Sequence, residues 1–279
     1  MAILDGKALS EQLIDSVKER ASELSPTLAV ILVGENPASM AYVRNKKKAC
    51  EKAGIEYLEF KYPDTITQES LLEKIKELNE DDSVNGLIVQ LPLPDQIYVP
   101  DIIRAIAPVK DVDGFGAYNL GKTFLSPDFE DLPPATPLGI VKLLDHYDIQ
   151  VQGKEVVVVG HSNHVGKPVS VMLLNRNATV TTCHIYTKDL SAHTKRADIL
   201  IVAVGKEKLI TADMVKDGVV VVDVGINRNK EGKLCGDTDF EEISKKASYI
   251  TPVPGGVGPM TVAALILNTI RATERQHKV

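Results

Sequence analysis

Short runs of β-branched and aliphatic residues recur along this chain. They are separated by stretches in which apolar side chains return at every third or fourth position. In the first half the runs fall at 27–33, 56–61 and 86–91; in the second they fall at 155–159, 178–183, 198–202, 218–224 and 248–250. Between them the helical period predicts helices over 9–24, 38–53, 69–78, 138–146, 165–174 and 240–245, and a last one over 259–274. Strands alternating with helices call for parallel sheets covered on both faces. Val156-Val157-Val158-Val159 and Val219-Val220-Val221-Val222 have no polar alternation, as expected of central strands buried on both sides.

One segment interrupts the alternation. Residues 123–137 contain four prolines and follow no period, so they read as the connection between two α/β units, with Pro137 opening a helix that joins them. The expected organisation is a first domain of residues 1–137 plus 262–279, the final helix returning to it, and a Rossmann domain over 138–261. Two such lobes imply a cleft, where small ligands usually bind.

At 279 residues the chain has room for two domains, and 44% hydrophobic with 25% charged residues suits a soluble globular protein. A net charge of −6 argues against a nucleic-acid partner or an anionic membrane surface. No apolar run has the length of a membrane span, and the first residues lack the pattern of a signal peptide. Cys50, Cys183 and Cys235 are odd in number and far apart, which suggests a reducing cytoplasm and no bound metal.

Two glycine-rich turns carry the first chemistry. The run 156–159 enters Gly160-His161-Ser162-Asn163-His164-Val165-Gly166, and a helical pattern follows. This is the setting of a Rossmann phosphate turn: Gly160 allows a tight turn, Ser162 can donate to phosphate, and Gly166 lets the helix sit close. An ordinary strand-to-helix turn is the bland alternative. The next strand runs into Cys183-His184-Ile185, with no acid before Asp189. Absence of a carboxylate for the ribose 2′-hydroxyl, with His161 and Lys188 nearby in the pattern, leans towards NADP without excluding NAD. The second turn, Thr251-Pro252-Val253-Pro254-Gly255-Gly256-Val257-Gly258-Pro259, is stiff and nearly free of side chains, so its backbone N–H groups can approach a flat or anionic ligand.

In the first half, Tyr42 and Lys46 lie four residues apart on one predicted helix face. Gln90 follows a buried run, at a strand's carboxyl end, and Asp113 sits in Asp111-Val112-Asp113-Gly114. Each also suits a bland role: Tyr42 in a core, Lys46 on a solvated face with Lys47 and Lys48, Gln90 as a strand-end hydrogen bonder, Asp113 as a turn former.

Together these segments resemble the bifunctional methylenetetrahydrofolate dehydrogenase/cyclohydrolases over nearly the whole chain. The resemblance rests on Val33-Gly34 with Ser39, Tyr42-Val43 and Lys46; Val89-Gln90-Leu91-Pro92-Leu93-Pro94; Asp111-Val112-Asp113-Gly114-Phe115; Thr136-Pro137 with Gly139; the 160–168 turn; Asp223-Val224-Gly225-Ile226-Asn227; Gly236-Asp237; and 251–261, in that order. It implies that Lys46 is essential to cyclohydrolase chemistry, that Gln90 modulates it, and that Asp113 holds the pterin edge. It also implies that Tyr42 stacks on the folate and that Pro254, Gly255 and Gly256 line its site. Gly160, His161, Ser162, Val165, Gly166, Ile185 and Ile226 would bind NADP. Tetrahydrofolate derivatives as substrates, a homodimer, a cytoplasmic setting and a role in one-carbon metabolism feeding purine biosynthesis follow from the same resemblance. A lysine acts as a base only when neutral, a form favoured by desolvation or by a cationic substrate beside it.

The chain departs from the family at His161, where arginine is usual, and at Ile185, where serine is common. It also has Gly116-Ala117 for His-Pro and Ala135 for Cys. Two other readings compete: a shikimate-type NADP dehydrogenase, which also pairs a lysine with an aspartate, and a non-catalytic nucleotide-sensing protein.

Overall fold

Every strand-forming run of the sequence becomes a strand in the computed structural model, which describes residues 1–277. From the N-terminus, β1 (Ala2–Ile3) leads into α1 (Gly6–Ser16) and α2 (Lys18–Leu24). There follow β2 (Thr27–Val33), α3 (Pro37–Ala53), β3 (Glu56–Tyr62), α4 (Gln68–Glu80), β4 (Gly86–Val89), α5 (Val99–Ala105) and α6 (Ala117–Leu125). Next come α7 (Ala135–His146), β5 (Glu155–Val159), α8 (Gly166–Leu174), β6 (Thr179–Cys183), α9 (Leu190–Thr194), β7 (Ile199–Val202) and β8 (Val220–Asp223). A small hairpin, β9 (Asn227–Arg228) with β10 (Leu234–Cys235), precedes α10 (Phe240–Ile243), β11 (Tyr249–Ile250) and α11 (Val257–Gln276).

The chain forms two compact units. One contains residues 11–122, 130–135 and those from 262 onward; the other contains 1–10, 123–129 and 136–261. The first is built on a three-stranded parallel sheet of order β3-β2-β4. All seven residues of β2 are buried, and Ala29, Ile31 and Val33 pack with Leu71, Ile75 and Leu78 of α4 and with Leu87 and Val89. Asp131 fastens this unit's later segments, taking hydrogen bonds from Lys122 and Arg275. Partial burial by itself would raise its carboxyl, but those two cations outweigh that effect and hold it below the usual range.

The second unit holds a six-stranded sheet of order β1-β11-β8-β7-β5-β6, parallel throughout. Val157, Val159, Leu200, Val202 and Val221 fill its core against Ile210, Val215, Ile243 and Ile250. From β5 the chain steps outward to β6, then returns to place β7 on the opposite side of β5. That reversal is the switch point of a doubly wound sheet, where such folds open a ligand crevice at the strands' carboxyl ends.

The structure corrects the expected boundaries in three places. Residues 1–10 group with the larger sheet, not with the first domain, because β1 pairs in parallel with β11: Ala2 N donates to Ser248 O at 2.8 Å and Leu4 N to Ile250 O at 2.9 Å. A strand of two residues has no periodicity to read. The predicted helix over 9–24 is two helices, meeting at Val17. The proline-rich connection is shorter than expected, since α6 reaches Leu125 and α7 begins at Ala135. Pro137 therefore sits in the first turn of α7, where the missing N–H costs nothing.

Candidate active site and dinucleotide site

In the first unit the site grows from the start of α3. Asn36 caps this helix, its side-chain oxygen accepting from Ala38 N at 3.0 Å and Ser39 N at 3.2 Å, and Pro37 follows at the first helical position. This fixes the helix phase and sends Lys46 into the protein, although Lys47 and Lys48 beside it are exposed. Lys46 is only 5% exposed. Its Nζ donates to Gln90 Oε1 at 3.1 Å and lies 3.9 Å from Asp113 Oδ2. The Gln90 amide is oriented in turn, because its Nε2 donates to Leu91 O at 2.8 Å, the carbonyl that also accepts from Ser39 Oγ at 3.3 Å. The Leu91–Pro92 peptide at this point is cis. Tyr42, one turn before Lys46, is half-buried, and that burial pushes its hydroxyl up from the ordinary range.

Asp113 is placed by a neighbour that carries no evident chemistry in the sequence. Asp111 is buried, and its carboxylate accepts from the backbone N–H of Gly114 at 3.0 Å, Phe115 at 3.2 Å and Gly116 at 2.8 Å, and from Asn119 Nδ2 at 2.9 Å. Burial, with Asp113 nearby, raises this carboxyl, and the bonds from Asn119, Gly116 and Phe115 oppose the rise. The Asp-x-x-Gly spacing was the available signal, since an aspartate three residues before a glycine commonly folds back onto its own loop. Asn268 of α11 holds the same loop from the other side, donating to Val112 O at 2.9 Å and Pro133 O at 2.8 Å. Lys46, Gln90 and Asp113 are thus gathered from three separate segments onto one spot: a buried amine, an oriented amide and a carboxylate.

The second unit presents the 160–166 turn, the expected phosphate turn. Gly160 has φ +126, and a Cβ there would lie 2.3 Å from Ala203 O; a Cβ on Gly166 would lie 2.1 Å from Gly160 O. The turn is therefore closed so tightly that only glycines fit, leaving the start of α8 bare. Ser162 Oγ accepts from Val165 N at 3.1 Å and Gly166 N at 3.4 Å, and its own hydrogen is left for donation. His161 and Ser162 are exposed, Val165 is half-buried, and Ile185, just beyond the end of β6, is 87% exposed. The rings of His161 and His184 meet at a tilt of 49°, centroids 5.1 Å apart. Ile226 is exposed beyond the end of β8. The other glycine-rich turn has a cis Val253–Pro254 peptide, an exposed Pro254, and Gly255 O held by Lys7 N at 2.8 Å. Gly256 is buried.

A switch-point crevice with a glycine-only phosphate turn, in a chain that also buries an amine against an amide and a carboxylate, defines a dinucleotide-dependent enzyme. Comparison with known proteins gives the family. Residues 4–113 match the model of the tetrahydrofolate dehydrogenase/cyclohydrolase catalytic domain, and residues 134–277 match that of the NAD(P)-binding domain of the same family. The bifunctional protein FolD of Nautilia profundicola is 55% identical, the match covering 100% of this chain and 99% of the relative. The crystal structure of the FolD methylenetetrahydrofolate dehydrogenase/cyclohydrolase from Campylobacter jejuni superposes with a TM-score of 0.95 at 53% identity, over 99% of both chains. The Trypanosoma brucei enzyme, solved with NADP and an inhibitor, gives a TM-score of 0.95 at 33% identity over 100% of this chain and 99% of that one. The chain belongs to the tetrahydrofolate dehydrogenase/cyclohydrolase family. A shikimate dehydrogenase from Peptoclostridium difficile, 14% identical with a TM-score of 0.54, shares only the fold, so that alternative falls away. Among the described residues no helix is long and apolar enough to cross a membrane.

Proposed function

We propose that this chain oxidises 5,10-methylenetetrahydrofolate to 5,10-methenyltetrahydrofolate and then hydrolyses that product to 10-formyltetrahydrofolate. The single observation that carries the reading is the buried Lys46 amine on Gln90, 3.9 Å from Asp113. NADP, when bound, accepts the hydride from the methylene bridge. That step needs the two reactants held in register more than it needs acid–base help.

Hydrolysis of the methenyl cation is where the side chains act. Water adds to the cationic carbon and one of its protons passes to a base; the neutral carbinolamine then collapses, its hydroxyl losing its proton as the formyl C=O forms while one carbon–nitrogen bond breaks and the released nitrogen takes up a proton. Lys46 is the base in this reading, and Gln90, tied to Leu91 O, aims the amine. Asp113 accepts hydrogen bonds from the polar edge of the pterin, and Tyr42 offers a ring face to it. Pro254, Gly255 and Gly256 would add a flat backbone surface to the folate site. Gly160, Ser162 and Gly166 would receive the pyrophosphate, Val165 and Ile226 would contact the rest of the dinucleotide, and His161 and Ile185 would face the 2′-phosphate. The active form in this reading is a cytoplasmic homodimer whose product supplies one-carbon units to purine biosynthesis.

The direct test is reduced-cofactor absorbance with methylenetetrahydrofolate, run in parallel with NADP and NAD. Turnover is expected with NADP, and its absence with both nucleotides would sink the assignment. The cofactor grip gives a second expectation. A guanidinium binds phosphate through two parallel N–H donors, whereas a histidine ring offers one point of contact. His161→Arg should therefore tighten NADP by about tenfold, the worth of one added charge-assisted bond, and leave NAD within about twofold. Dissociation constants that do not move with this change would show that residue 161 does not face the phosphate.

A further inference from the structure

At the carboxyl ends of β7 and β8 lie two buried carboxylates for which the proposed reaction has no use. Asp237 is 0% exposed and Asp223 is 3% exposed. Asp237 accepts from the backbone N–H of Val204 at 2.7 Å, Gly205 at 3.0 Å and Lys206 at 2.8 Å, and from Asn227 Nδ2 at 2.8 Å. Asp223 accepts from the N–H of Gly225 and Asp237, both at 2.9 Å, from Thr238 N at 2.8 Å and from Thr238 Oγ1 at 2.7 Å. Each of these partners donates, so the two side chains act as acceptors that tie their loops in place; burial pushes the Asp223 carboxyl up, and the bonds from Thr238, Asp237 and Gly225 oppose the rise. The fit leaves no slack: a Cβ on Gly225 would lie 2.2 Å from the Asp237 carboxyl, and one on Gly236 would lie 2.1 Å from Asp223 Oδ2.

The bonds of Asp237 end on two loops. One follows β7 and carries Val204, which is 39% exposed; the other follows β8 and carries Ile226, which is 48% exposed. Apolar side chains left open on two segments that one buried side chain ties together form a surface suited to a flat ring. The sheet order says which ring. The phosphate turn is on β5 and the 2′-phosphate side is β6, so the other end of a dinucleotide extends across the switch point over β7 and β8.

We propose that Asp237 is the positioning residue for the nicotinamide end of the dinucleotide site, and that Val204 joins Ile226 as the apolar contact it positions. This rests on the reading that a dinucleotide binds at the 160–166 turn. Asp237 touches no ligand itself; it acts through the 204–206 loop and Asn227.

The test compares three probes by titration: NADP⁺, NADPH and 2′,5′-ADP, which has the 2′-phosphate but no nicotinamide. Asp237→Asn puts an amide N–H against N–H donors. It should weaken NADP⁺ and NADPH about tenfold or more, the worth of a lost bond to a charged group, and leave 2′,5′-ADP within about twofold. Equal loss for all three probes, or no loss for any, overturns the inference. Asn227→Ala, which keeps both carboxylates and removes one donor, guards against an unfolded Asp237→Asn. It should show the same selectivity at a smaller size, about threefold on NADP⁺ and NADPH, and equal effects on all probes would again overturn the proposal. If the unaltered protein binds none of the three, the dinucleotide reading has failed, and that outcome is separate from a failure of the role given to Asp237.

Discussion

Replacing Lys46 with methionine is expected to cut methenyltetrahydrofolate hydrolysis by about a hundredfold or more, the usual worth of a positioned general base. Methionine keeps much of the stem, so the packing of α3 changes little. What disappears is the amine on Gln90 Oε1. No neighbour can replace it. Lys47 and Lys48 lie on the exposed face of α3, and Lys110 is buried but spends its amine on Leu78 O and Asp81 O at 3.0 and 2.7 Å. Hydride transfer should fall much less, because that step draws on positioning. The check is to follow decay of supplied methenyltetrahydrofolate separately from cofactor reduction. Hydrolysis within a few-fold of the parent would remove Lys46 from its role.

The second large effect is expected at Gly166. The methyl of Gly166→Ala would have to occupy space 2.1 Å from Gly160 O and 2.8 Å from His161 N, both backbone atoms. Backbone cannot rotate aside as a side chain can, so the turn must open and the start of α8 must move off the position proposed for phosphate. NADP affinity should fall by well over tenfold, in keeping with the loss of more than one charge-assisted phosphate contact. Lys46, Gln90 and Asp113 belong to the other unit, so methenyl hydrolysis should persist in a folded Gly166→Ala protein. NADP binding with unchanged affinity would show that the turn is not where the pyrophosphate rests.

The sequence made much of this legible because burial leaves a periodic trace. β2 and β5 match the predicted runs to the residue, and α3 differs by one, since Pro37 can begin a helix as well as precede one. Gln90 was readable as a strand-end side chain and Lys46 as a helix neighbour of Tyr42. Their contact was not, because nothing in spacing brings together residues 44 positions apart. The short elements escaped for a related reason. α5, α9 and the β9–β10 hairpin are too brief to establish a period, and α6 carries Gly121 and sits beside the proline-rich stretch that reads as a loop. Asp111 stands in the third family signature, but the sequence assigns it no role. Only the fold shows that its four donors shape the loop presenting Asp113. Asp223 and Asp237 are a similar case: a buried carboxylate and an exposed one are the same letter.

The parallel pairing of β1 with β11 has a consequence for how the polypeptide is made. Ala2 and Ile3 are made some 250 residues before their partners, Tyr249 and Ile250. Closing so long a stretch of chain is entropically costly and slow compared with the local β2-to-β4 unit, whose strands succeed one another closely. During synthesis that smaller sheet has its three strands in hand by residue 89, whereas the β1 edge of the larger sheet must wait until residue 250 has been made. A nascent chain halted before residue 249 would therefore carry a β1 with nothing to pair to.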